Sequence, residues 1–110
     1  MTKAMFDAKA VGTAKLCEVA RVVPGSVVST PLLQTDSCKV MVFAMAAGQS
    51  IREHHAPYVA TVHVLAGRLE LTVAGQRHVL APGDWLLLPF DVKHDVTAVE
   101  PTHFLLTAMR

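Results

Sequence analysis

Six histidines carry most of the chemistry this chain could perform: His54, His55, His63, His78, His94 and His103. Three of them fall within ten residues. Imidazole is the commonest metal ligand and moves protons near neutral pH. Clustering alone does not make a site. Adjacent side chains on a strand face opposite ways. His54 therefore shares a face with Ala56, and His55 points to the other. Ala60, Val62, Val64 and Ala66 share one face, with Thr61, His63 and Leu65 opposite. Simple alternation does not bring the three clustered histidines together, and only a bulge near Pro57 would change the phase. His78 and His103 read as ordinary strand residues.

Other chemistries find no support. No H-E-x-x-H zinc signature occurs, because Glu53-His54-His55 has the wrong order and spacing. Neither a G-x-S-x-G elbow nor a P-loop is present. Cys17 and Cys38 stand 21 residues apart with no C-x-x-C and no histidine beside them. They read as reduced thiols, and the chain as cytoplasmic. Asp91 and Asp95 flank His94, but Asp95 faces away from it on a strand. Trp85 reads as a core or interface residue.

The elements that must position these residues are strands. Candidate strands cover 15–23, 26–34, 38–47, 50–55, 60–66, 68–74, 77–81, 84–88, 93–99 and 102–109. Arg68-Leu69-Glu70-Leu71-Thr72-Val73 alternates cleanly, with one wet face and one buried. Pro24-Gly25, Gly48, Gly67, Ala74-Gly75 and Pro82-Gly83 mark turns. Residues 1–14 form a lead-in. Short, evenly spaced strands predict an antiparallel all-β sandwich or barrel.

Two segments resemble the motifs of the cupin superfamily, as a small single-domain, RmlC-like member. Gly48 through Gly67 resembles the first motif, with His54 in place. Gly83 through Ala98 resembles the second, with Pro89 and His94 in place. The Gly67–Gly75 hairpin lies between them, and the likeness spans residues 40–109. It implies one domain over residues 1–110, an antiparallel jelly-roll β-barrel, commonly dimeric. In metal-binding cupins three histidines and a glutamate hold one divalent ion. Here the second histidine position is Ala56 and the glutamate position Ala60. The second-motif glycine position is Asp91 and its asparagine position Ala98.

The resemblance thus assigns a divalent transition metal, if one binds, to His54 and His94. His55 and His63 are the remaining candidate ligands. It also implies a roomy apolar pocket of Ala56, Ala60, Val62 and Val64 with His54 and His94 at its mouth. Two function classes stay open. One is metal-assisted oxygenase or isomerase chemistry on a small organic molecule. The other is a non-catalytic module that binds a small ligand or serves as a structural dimer, without metal.

Composition narrows the partners. With 52% hydrophobic and 17% charged residues, the chain is not disordered. A formal charge of +1 argues against nucleic acid or anionic lipid. The longest apolar run, Val40 to Gly48, is far short of the ~20 residues a spanning helix needs. The N-terminus, interrupted by Lys3, Asp7 and Lys9, reads as no signal peptide. A mean hydropathy of +0.39 in so small a chain predicts a homodimer, its interface on strands with two apolar faces, 40–45 and 85–88.

Overall fold

The alternation seen in residues 68–74 recurs as real strands throughout the computed structural model, which describes residues 3–110. The element order is α1 (Leu16–Val19), β1 (Val27–Gln34), β2 (Cys38–Met45), β3 (Ser50–His54), β4 (Val59–Ala66), β5 (Leu69–Val73), β6 (Gln76–Leu80), β7 (Trp85–Leu88), β8 (His94–Ala98) and β9 (Thr102–Met109). Nine of the ten candidate strands form, and the tenth does not. In 15–23 the apolar Leu16, Val19 and Ala20 recur at three- and four-residue spacing, which suits a helical turn rather than a ladder. Residues 1–2 of the expected lead-in lie outside the described residues.

Two antiparallel sheets form, ordered β1-β2-β9-β4-β7 and β3-β8-β5-β6. The sheets do not close into the expected barrel, because among the described residues no ladder joins the edges of one sheet to those of the other. The edge strands show why. Pro31 removes a ladder donor from β1, and its register shifts between Pro31 and Leu33. β7 has only four residues and stops before Pro89. β3 slips register against β8 between Ile51 and His54. Closure needs continuous pairing around the ring, and these edges cannot supply it.

Between the sheets lies the main core. Val62, Val64, Leu88, Phe104 and Ala108 of the five-stranded sheet meet Leu69, Leu71, Leu80, Val96 and Ala98 of the four-stranded one. Phe104 stacks on Phe43 with ring centroids 4.8 Å apart. Burial of such a side chain stabilises by about 1.5–3 kcal/mol.

A second cluster covers the outer face of the five-stranded sheet. Ala20, Leu32, Val42 and Ala44 are buried there, with Phe6, Leu16, Val19 and Val22 packed against them. Backbone N–H groups of Met5 and Phe6 donate to the carbonyls of Pro31 and Leu32, which anchors the segment. The second apolar face of 40–45 is therefore covered by the chain itself rather than needing a second copy. The strand 85–88 differs, since Trp85 is 60% exposed and Leu87 49%. No helix among the described residues is long and apolar enough to cross a membrane.

Candidate functional site

β3 and β8 are neighbours in the four-stranded sheet, and their register sets His54 directly opposite His94. The rings meet edge to face, with centroids 4.1 Å apart at 62°. The register slip in β3 occurs just before His54. It lies before the histidine cluster, so it leaves the phase of His54, His55 and His63 relative to one another unchanged, and the three do not converge.

Both rings are held the same way. The Nδ1–H of His54 donates to the Arg52 carbonyl at 2.8 Å, and that of His94 to the Val92 carbonyl at 3.1 Å. A carbonyl can only accept, so Nδ1 carries the proton in each ring. In the neutral ring Nε2 is then a bare acceptor. His94 is only 8% exposed. Burial is the main cause that pushes its pKa below the ordinary 6.5, and the neighbouring His54 adds to it. The Val92 hydrogen bond and Asp95 oppose.

The two rings open on a small cavity of about 40 Å³ at one end of the sandwich. Ala56 and Tyr58 of the β3–β4 loop, Ala60 of β4, Leu88 and Pro89 at the end of β7, Val92, and Leu106 of β9 complete its wall. Sequence reasoning reaches His54, His94, Ala56 and Ala60 here. It misses Tyr58, Leu88, Pro89, Val92 and Leu106. Tyr58 shares its phase with Ala56 and Ala60, and that signal could have found it. Val62 is 1% exposed and belongs to the core between the sheets, outside the cavity wall.

The remaining histidines lie elsewhere. His55 follows the end of β3, and its Nδ1 hydrogen-bonds the Asp91 carboxylate across the β3–β4 and β7–β8 loops. Asp91 has φ +57°, in the left-handed region where the family motif places glycine. Aspartate tolerates that region better than most residues. His63 sits on the outer face of β4, opposite Trp85. The Nε2–H of His103 donates to the Ala20 carbonyl at 2.9 Å, tying the covering segment to the sheet.

A resident divalent ion can be tested against these donors. The wall offers two imidazoles and a tyrosine, with no carboxylate. Such ions are held by three or four protein ligands with charge compensation. Among the described residues no group of three or more His, Cys, Asp or Glu is placed to hold one. The donor set does not fit a tightly held ion.

Residues 41–108 match the cupin domain family. The chain belongs to that family. Solved structures agree on the fold. A conserved protein of unknown function from Streptococcus pyogenes is 24% identical, with a TM-score of 0.87, covering 99% of this chain and 96% of that one. A cupin superfamily protein from Desulfitobacterium hafniense is 21% identical, with a TM-score of 0.85, covering 99% and 97%. An RmlC-like cupin from Desulfovibrio desulfuricans is 23% identical, with a TM-score of 0.81, covering 91% and 97%. Identities this low bear on fold alone. No curated protein matches the chain.

Proposed function

We propose that this cupin is a non-catalytic module, acting as one domain, that binds a small organic molecule without a resident metal. The observation that carries the reading is the make-up of the cavity wall. Two imidazoles face a surface of alanine, leucine, proline and valine. Ala56 and Ala60 stand where a metal-binding cupin has a ligating histidine and glutamate, and a methyl group ligates nothing. Apolar walls with a few converging polar groups suit ligand binding.

Metal-assisted oxygenase or isomerase chemistry is the competing reading, and one experiment separates them. Protein stripped with chelator is screened against a small-molecule library by thermal shift, and each hit is recovered. The expected result is stabilisation by a compound recovered unchanged. Turnover of a hit, or binding only after metal is restored, overturns the proposal.

The same chain is proposed to form a homodimer in the cytoplasm. The support is the exposed apolar strip of Trp85 and Leu87 on β7 and Met109 on β9, on the outer face left bare by the N-terminal segment.

A further inference from the structure

The chemistry of the His54–His94 cavity narrows the ligand. From the direction of two hydrogen bonds and the charge of the wall we infer that the cavity takes a neutral head group carrying two adjacent hydroxyls, a vicinal diol or a catechol. This rests on the reading of the site as a metal-free ligand pocket.

Among the described residues no Lys, Arg, Asp or Glu lines the cavity. Arg52, Glu53, Lys93 and Asp95 neighbour the histidines in sequence but stand outside its wall. A carboxylate, phosphate or ammonium entering there would lose water without meeting a fixed counter-charge, which is costly. A neutral head group avoids that cost.

Each Nδ1–H is committed to its own strand's carbonyl, two residues earlier. Each neutral ring therefore presents only an acceptor at Nε2. His94 is nearly buried, yet no buried side-chain nitrogen or oxygen among the described residues lacks a partner. Its Nε2 therefore opens on the cavity. The His54 ring lines the same cavity with its centroid 4.1 Å from that of His94, so two neighbouring acceptors call for two neighbouring donors. A ketone, ether or ester offers none, and a lone hydroxyl leaves one nitrogen unmatched.

Size agrees. A water needs about 10–15 Å³ of such space, so a cavity of about 40 Å³ holds two hydroxyls and little else. The carbon skeleton stays outside that space. That favours a flat or compact skeleton over a long chain.

The test is calorimetry at neutral pH with chelator and a mild reductant. The probes are catechol, its monomethyl ether, cis-1,2-cyclohexanediol and benzoate. Catechol and the saturated diol are expected to bind. Methylating one hydroxyl should weaken binding at least about tenfold, the usual effect of leaving a buried polar group unpaired. His54→Ala should lose about the same factor, and as an exposed residue its loss leaves folding intact. Equal affinity for the methyl ether, or tighter binding of benzoate, overturns the inference. If none of the four probes binds but another library compound does in chelator, the diol assignment fails and the metal-free pocket stands. If catechol binds only once metal is restored, both fail.

Discussion

His54 and His94 sit on adjacent strands as a directly opposed pair, rings edge to face, each ring steered by a carbonyl two residues before it. The repeated local bond makes the pair a matched set of acceptors rather than two unrelated histidines. Long-range proton–nitrogen spectra of the imidazoles report this directly. Both rings should show the Nδ1–H tautomer when neutral. An Nε2–H signature from either ring would break the pairing argument.

His94 should also leave its mark on stability. Its pKa is lowered in the folded state, mainly by burial. The unfolded chain therefore takes up a proton at about 6.5 while the folded chain resists it. Stability is full above that value and declines as pH falls through the lower folded pKa. Denaturant midpoints measured from pH ~7.5 down to ~5 should fall for the wild type. His94→Gln should flatten that slope, and an unchanged slope would remove His94 as its source.

Restoring the missing ligand positions should restore metal binding. Ala56 and Ala60 both line the cavity beside the histidines. Ala56→His with Ala60→Glu adds an imidazole and a carboxylate to the existing pair. Affinity for zinc or manganese should rise by about 100-fold or more over the wild type, since a four-ligand set replaces two nitrogens. Wild-type protein should show little thermal shift on adding either ion. Tight stoichiometric binding by the wild type would contradict the metal-free reading.

How much of this was readable in advance follows from what each feature depends on. The strands were legible because alternation is a local pattern. His54 and His94 were legible because motif spacing fixes which turn each follows. Sheet closure was not, because it depends on edge pairing between residues far apart, and Pro31 and the β3 slip decide it. The turn at Leu16–Val19 was missed because four residues hold too little of a helical period. Leu106 was missed as a wall residue because β9 reaches the cavity only through the sheet order. The apolar excess was read as interface in part, yet the face of Val42 and Ala44 is covered by Phe6 and its neighbours.

That division gives a prediction for the dimer. Trp85 and Leu87 remain exposed, so Leu87→Lys should cost the monomer little, within about 0.5 kcal/mol. If the strip is the subunit contact, the same change should shift sedimentation from dimer toward monomer. Wild-type protein that sediments as a monomer at micromolar concentration would remove the dimer proposal altogether.

Gly67 offers the sharpest test of the fold. Its φ is +90°, and a Cβ there would lie 2.2 Å from the Pro101 carbonyl oxygen and 2.5 Å from Thr102 Oγ1. Thr102 is fully buried, and its hydroxyl accepts from the Arg68 N–H while lying within reach of the Arg68 and Glu100 carbonyls. The neighbour cannot yield without breaking that knot. Gly48 has a similar φ of +80° but open space around it. Gly48→Ala should therefore cost only backbone strain, about 1 kcal/mol. Gly67→Ala adds a clash with backbone and should cost about 3 kcal/mol or more. Denaturant titration of the two variants side by side measures the difference, and equal losses would mean the β4–β5 turn and the Thr102 knot are looser than drawn.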